Sequence, residues 1–207
     1  MSRTLPDLPL FALDLVALPG EVVPLNIFEP RYREMIADCL DDDREFGIVW
    51  STDGELQEIG CAVEISRVLE QHDDGRSEIL TTGTRPFRII ELGDTTPYPT
   101  ASVEFIADLS EVVDEPALEA AREVYSTLVE EATDEPPDAE RLAAMDAYAM
   151  AATVDFGSPA KQQLLDLRSE SARLLLVTQL FRSATKRLEY IERALARARS
   201  NGKVRFG

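Results

Sequence analysis

Two Ser-x-x-Lys tetrads are the residues to test first for catalysis. Ser158-Pro159-Ala160-Lys161 and Ser183-Ala184-Thr185-Lys186 each set a serine three residues before a lysine. On a helix that spacing makes hydroxyl and amine neighbours. In penicillin-binding enzymes the tetrad works together with S-D-N and K-T-G motifs, and the chain contains neither. Ser158 reads more simply as a helix cap followed by proline at the first helical position. Ser183 and Lys186 read as a surface pair. A small serine hydrolase using one of these serines is therefore the weaker alternative. No G-x-x-x-x-G-K-[ST] loop is present to cradle phosphates, because Gly202-Lys203 is followed by valine. His72 is the only histidine, and Cys39 and Cys61 are too scattered to give a zinc-ligand spacing with it. Asp41-Asp42-Asp43 lacks the spacing of a calcium loop. No cofactor and no metal is expected.

Composition narrows the class. The chain has 207 residues, enough for one or two domains with a real core. At 44% apolar and 29% charged it is an ordinary globular composition. No apolar run approaches the length of a membrane span, and residues 1–11 lack the apolar core of a signal peptide. A cytoplasmic protein is expected. Two cysteines make no disulfide framework and read as buried small side chains. The net charge is −18, but residues 184–207 hold seven basic and two acidic residues, so the rest carries −23. Phosphate contacts need a basic surface, so the acidic body argues against unspecific nucleic-acid binding. The basic segment (Lys186, Arg187, Arg193, Arg197, Arg199, Lys203, Arg205) reads as the solvated face of a terminal helix.

With catalysis unsupported, residues 18–40 become the organising stretch. Pro19-Gly20 is a turn signal. Residues 22–28 form an apolar extended run, and Pro24 within it removes a ladder donor. That predicts an edge strand or a bulge. Pro30 suits the first turn of a helix. Tyr32, Met35, Ile36, Cys39 and Leu40 then fall on one helical face. Arg31 and Glu29 either form a peptide-contact rim or fix the strand-to-helix corner through a carboxylate, with Tyr32 in the core. The second reading is the stronger, because the rigid guanidinium fork is a common internal strut. Phe28 and Phe87 are open to the same two readings, with the core favoured.

The remaining elements follow from pattern. Residues 8–16, 46–51, 60–70, 77–82, 87–92 and 100–106 read as strands. Asp53-Gly54 and Asp74-Gly75 are type I′ hairpin signals. Composition changes after Ile106: residues 108–140 hold twelve acidic residues and one basic. Leu118, Ala121, Val124, Tyr125 and Leu128 make an apolar helical stripe. Glu135-Pro136-Pro137-Asp138 ends that helix and starts another. Residues 142–154 are apolar nearly all round and read as a buried helix that Gly157 stops. Leu174, Val177, Leu180, Phe181, Leu188, Ile191 and Leu195 continue at helical spacing. Four or five helices are expected here.

Several of these residues, taken in order, carry a family resemblance. They are Pro9-Leu10-Phe11, Leu18-Pro19-Gly20, the run Pro24-Leu25-Asn26-Ile27-Phe28-Glu29-Pro30-Arg31-Tyr32, Phe46-Gly47-Ile48-Val49, Ile59-Gly60-Cys61-Ala62, Asp74-Gly75-Arg76, Gly83 with Phe87-Arg88-Ile89, Tyr98, Ala101, and Lys161-Gln162 with Leu164-Leu165. The chain resembles the N-terminal, substrate-recognition domain of Lon protease. Asn26 stands where that family often has histidine, and Pro86 separates Arg85 from Phe87. The resemblance implies a PUA-like pseudo-barrel plugged at one end by the Tyr32 helix. The fold class expected is thus α+β: a β-rich part over residues 1–108 and a helical bundle over 109–207. The ATPase and peptidase modules of Lon are not expected in this chain. The function implied is a non-catalytic binding module for unfolded or partly folded proteins and peptides, or one that docks a partner such as a protease or chaperone. The candidate contact residues are Pro24, Asn26, Phe28, Glu29, Arg31, Arg85 and Phe87. RNA binding, known for PUA-like domains, is a further alternative that the acidic body disfavours.

Overall fold

The computed structural model describes residues 4–93 and 97–201, and within the last helix the side chains at 192, 195, 196 and 198–201 stay outside the description. Leu195 and Arg199 as side chains, and Gly202, Lys203 and Arg205, therefore lie outside the described residues.

Alternating and apolar runs give seven strands: β1 (Thr4–Leu13), β2 (Val22–Ile27), β3 (Phe46–Thr52), β4 (Glu55–Leu56), β5 (Ile59–Gln71), β6 (Ser77–Gly93) and β7 (Thr100–Phe105). The described helices are α1 (Pro30–Asp41), α2 (Glu115–Thr133), α3 (Ala139–Ala144), α4 (Ala147–Ala151), α5 (Ser158–Asp166) and α6 (Glu170–Asn201). The fold is mixed α/β with a largely antiparallel sheet. Its strand path runs β1-β7-β6-β5-β3-β4, with β2 attached to β6. β1 also pairs in parallel with β3, Leu10 opposite Gly47 through Leu13 opposite Trp50. That pairing closes β1, β7, β6, β5 and β3 into a ring. Leu8, Leu10, Val49, Ala62, Phe87, Ala101 and Val103 form one of its cores. Phe87 fits there because Gly47 and Gly60 carry no side chain: a Cβ on either would stand 2.5 or 2.8 Å from its ring.

Residues 77–82 and 87–92, expected as two strands, are one 17-residue strand. The ladder runs through the middle, pairing Val63 with Gly83 and Ala62 with Arg85. β6 changes its second neighbour along its length, from β2 at Ser77–Thr82 to β7 beyond Pro86. Asp53-Gly54 has both φ angles positive, +52° and +83°, as a type I′ turn requires. Asp74-Gly75 differs. Only Gly75 has positive φ, its N–H donates to His72 O (2.9 Å), and His72 N–H donates to Arg76 O (2.9 Å). This is a longer hairpin loop, a type I turn closed by a left-handed glycine.

Pro30 opens α1 as expected, and Tyr32, Met35, Ile36 and Cys39 are buried, whereas Leu40 at the margin of the stripe is exposed. α2 buries Ala117, Ala121, Tyr125 and Leu128 and ends just before the Pro136-Pro137 pair. The single helix expected over residues 142–154 is broken. Met145 takes an extended ψ of 134°, so α3 and α4 are separate short helices. Ser158 does not cap α5. Gly157 occupies the cap position, and the Ser158 hydroxyl donates to Asp14 O (3.4 Å). The chain forms two interleaved compact units, Met1–Glu111 with Tyr148–Glu170, and Val112–Ala147 with Ser171–Gly207.

Candidate functional site

β2 presents the candidate surface. Its side chains alternate, with Val23, Leu25 and Ile27 buried and Val22, Pro24 and Asn26 exposed. Phe28, next in the same parity, is 62% exposed. The expectation that Phe28 packs in the core is thus not met: it follows the last paired residue of β2 and points outward. Among the described residues β2 pairs with β6 alone, so its other edge is open. Pro24, opposite Leu80, is tolerated because an edge strand needs donors on one side only. Across the outward face the register sets Val22 by Thr82 and Glu64, Pro24 by Leu80 and Arg67, and Asn26 by Glu78 and Glu70. The surface is therefore apolar along β2 and charged along β5.

The corner after β2 is built from Glu29, Pro30 and Arg31. Arg31 Nε donates to Glu29 Oε2 at 3.1 Å, Nη2 lies 3.0 Å from the same oxygen, and the guanidinium sits 4.5 Å over the Tyr32 ring. Tyr32 is buried against Phe11, ring centroids 4.1 Å apart. Burial raises its phenol pKa, and the nearby Arg31 charge partly opposes that shift. The carboxylate-held corner expected for Arg31 is what forms, yet half of its side chain stays exposed. Arg33 donates to Asp74 O and so ties α1 to the β5–β6 hairpin tip.

Pro24, Asn26, Phe28, Glu29 and Arg31 thus share one neighbourhood. Arg85 and Phe87 do not join them. Arg85 pairs with Glu45 (2.7 Å) and covers the Phe105 ring at 3.9 Å, while Thr84 Oγ1 donates to the other Glu45 oxygen (2.6 Å). It lies three residues, about 10 Å, along β6 from Thr82. Phe87 as a contact residue is corrected: it is fully buried within the ring of strands, over Gly47 and Gly60, and no partner can reach it. Val22 and Leu80 were not among the sequence candidates. Period-two alternation in residues 22–28 was a signal for Val22; Leu80 needed the β2–β6 register.

The groups with catalytic potential are held in other roles. Lys161 Nζ pairs with Glu21 Oε1 and Glu21 Oε2 accepts the Leu18 N–H at 3.0 Å, so this amine is committed to a largely buried ion pair. Ser183 Oγ donates to Gln179 O in its own helix (2.9 Å). Burial pushes the Cys39 thiol up to about 11 and the Cys61 thiol up to about 12, which keeps both as thiols. His72 is exposed, 3.6 Å from a Glu70 oxygen. Among the described residues no three His, Cys, Asp or Glu side chains converge as a ligand set, and no helix is long and apolar enough to cross a membrane.

Comparison with known proteins decides the family. The family model described as the ATP-dependent protease La (LON) substrate-binding domain matches residues 7–183. The chain belongs to this family. The Lon protease of Anaeromyxobacter dehalogenans is 30% identical over 198 residues, covering 87% of this chain and 23% of the relative. Lon protease 2 of Myxococcus xanthus is 30% identical over 197 residues, covering 87% and 24%. The chain therefore spans about a quarter of the length of these curated relatives. Among solved structures, a Lon N-terminal domain protein from Xanthomonas campestris superposes with a TM-score of 0.64 at 23% identity, over 82% of this chain and 95% of that one. The N-terminal domain of the Mycobacterium avium complex Lon protease gives 0.66 at 19% identity, over 84% and 97%. The fold is that of Lon N-terminal domains, and the IFEPRY segment that forms the β2–α1 corner lies within the family match.

Proposed function

We propose that this Lon-family domain is a non-catalytic module that captures exposed apolar segments of unfolded or partly folded proteins on the outer face and open edge of β2. The observation that carries the reading is the stripe of Val22 and Pro24 on an edge strand and Phe28 directly after it, beside a pre-oriented Arg31. Apolar side chains on that stripe supply the energy, and an extended peptide adds main-chain hydrogen bonds at the edge. Pro24 withholds one donor there, which also restrains the edge from pairing indiscriminately. Asn26, Glu29 and Arg31 read polar groups of the bound chain. Arg85 contributes only if the client extends along β6.

The closure of β1, β7, β6, β5 and β3 supports a PUA-like pseudo-barrel for residues 1–108, with a helical bundle over 109–207. The commitment of Lys161, the local bond of Ser183 and the raised cysteines support a module without chemistry of its own. As part of the same proposal we place it in the cytoplasm, beside a protease or chaperone. Binding of labelled unfolded casein to the wild type and to Phe28→Asp tests the reading. Capture that survives high salt and is lost in Phe28→Asp, with an unchanged melting curve, is the result expected. Equal binding by both proteins would move the site elsewhere. Incubation with ATP and with labelled casein is expected to show no turnover of either.

A further inference from the structure

The second compact unit carries two charged ridges that peptide capture does not use. α2 and α6 begin together, because Asp114 N–H donates to Ser171 Oγ (3.0 Å). They run in the same direction, because the Tyr125 and Phe181 rings meet further along at 5.3 Å. α2 ends at Thr133, eight residues past Tyr125, whereas α6 continues twenty residues past Phe181 to Asn201. α6 thus outruns α2 by about 18 Å, at ~1.5 Å per residue.

On α2 the buried face is Ala117, Ala121, Tyr125 and Leu128. At 3.6 residues per turn, Glu115, Glu119, Glu123 and Glu130 fall on the opposite face, and all four are exposed. On α6 the buried face is Leu174, Val177 and Phe181. Its opposite face carries Arg182, Lys186, Arg193 and Arg197, all exposed, with Tyr190 among them at 73% exposure. Each ridge spans fifteen residue steps, about 22 Å. None of the four glutamates has a cation within salt-bridge distance among the described residues, and neither Arg182 nor Lys186 has a carboxylate, whereas Arg193 pairs with Glu189 one turn earlier on its own helix (2.8 Å).

We infer that the partner of the basic ridge is the acidic ridge of a second copy of this chain. The two match in length, each lies along one helix, and they have opposite sign. Nucleic acid fits less well, because it could satisfy the basic ridge alone, whereas a second copy offers a ridge of each sign. The ridges face away from each other, so one copy cannot satisfy both against a single partner. The contact is heterologous, and association proceeds to a ring or chain instead of stopping at a two-fold dimer. Exposed ion pairs are individually weak, so assembly needs several at once. At about 0.1 M salt the screening length of ~10 Å damps repulsion between whole molecules yet leaves contact pairs attractive; at about 1 M it falls to ~3 Å and the pairs weaken.

Sedimentation velocity of the full chain at these two salt concentrations tests this. The wild type is expected to sediment faster than a monomer at the lower salt, increasingly so with concentration, and as a monomer at the higher. Arg193→Glu with Arg197→Glu, and separately Glu119→Lys with Glu123→Lys, are each expected to stay monomeric at both, with melting curves close to the wild type's, because the positions are exposed and the Arg193–Glu189 pair that is broken is a weak surface one. Mixing the two variants restores opposite ridges and is expected to restore association, a result that misfolding cannot imitate. A wild type that is monomeric at the lower salt overturns the inference, as does association that ignores either reversal. A monomeric wild type that binds an oligonucleotide through Arg193 and Arg197 would assign the basic ridge to nucleic acid instead.

Discussion

Arg31 shows how one side chain can serve the fold and still reach solvent. Glu29 and the Tyr32 ring fix its guanidinium in place, and half of the side chain remains in solvent. The ring beneath is the structural anchor. Tyr32→Ala removes a buried aromatic packed on Phe11, and a cost of about 3–5 kcal/mol is expected in urea denaturation. An unchanged midpoint would place the ring outside the core. The two cysteines set an alkaline limit. Their ordinary value is 9.0, and burial raises it to about 11 for Cys39 and about 12 for Cys61. Above pH 9 the unfolded chain loses these protons while the folded chain keeps them, so stability falls as pH rises. It is whole below pH 9 and declines through pH 11 to 12, by up to about 1.4 kcal/mol per pH unit per thiol. Melting temperatures across that range check the slope, and Cys61→Ala is expected to shallow it. At this scale Tyr32 and the cysteines could be read from residue type and spacing. Phe28 and Phe87 could not be separated, because Phe87 owes its burial to Gly47 and Gly60, which are distant in sequence, and Phe28 owes its exposure to the end of a ladder.

Among elements, β6 does the most to organise the sheet, and Gly83 is the point on which it turns. Gly20 N–H donates to Gly83 O (2.8 Å) and Gly83 N–H donates to Glu21 O (2.9 Å), so the turn before β2 is laced to mid-β6. A Cβ at Gly83 would stand 2.1 Å from the Leu18 carbonyl oxygen, a backbone atom with little freedom to retreat. Gly83→Ala is therefore expected to destabilise by several kcal/mol, in the range of overpacked cores at about 1–3 kcal/mol or beyond. Because β2 would shift with the turn, hydrogen exchange should rise first in residues 22–27. Uniform exchange along both strands would refute a local cause. Pattern alone split β6 in two because Gly83 and Pro86 both look like breakers, yet pairing with β5 and β7 overrides them. The same limit applies to residues 142–154, where continuous apolarity conceals the extended Met145. α1, bounded by Pro30, was legible except at Leu40, which the stripe includes and the fold leaves exposed.

For the molecule as a whole, composition marks a change near residue 108, but compactness divides the chain differently. The chain leaves the first unit after Glu111 and rejoins it at Tyr148. α5 belongs to that unit: Gln162 Nε2 donates to Ile59 O at 3.1 Å, Lys161 pairs with Glu21, and Leu164 and Leu165 are buried. None of this shows in composition, since the two polar contacts link residues 103 and 140 positions apart. A chain ending at Asp108 keeps every strand and loses all of it. Removing one partner of a largely buried pair costs about 3–5 kcal/mol, and each uncovered leucine forfeits about 1.5–3 kcal/mol. Their sum is comparable to the ~5–15 kcal/mol that holds a typical domain together. A chain ending at Glu170 keeps α5. Trp50, the only tryptophan, lies on β3 and bonds Asp14 at 2.9 Å, so its fluorescence reports on the strands directly. In urea the 170-residue chain is expected to retain a cooperative Trp50 transition, and the 108-residue chain to show none or one at much lower urea. Equal midpoints would mean that α5 only rests on the strands, and would make 108/109 a folding boundary as well as a compositional one.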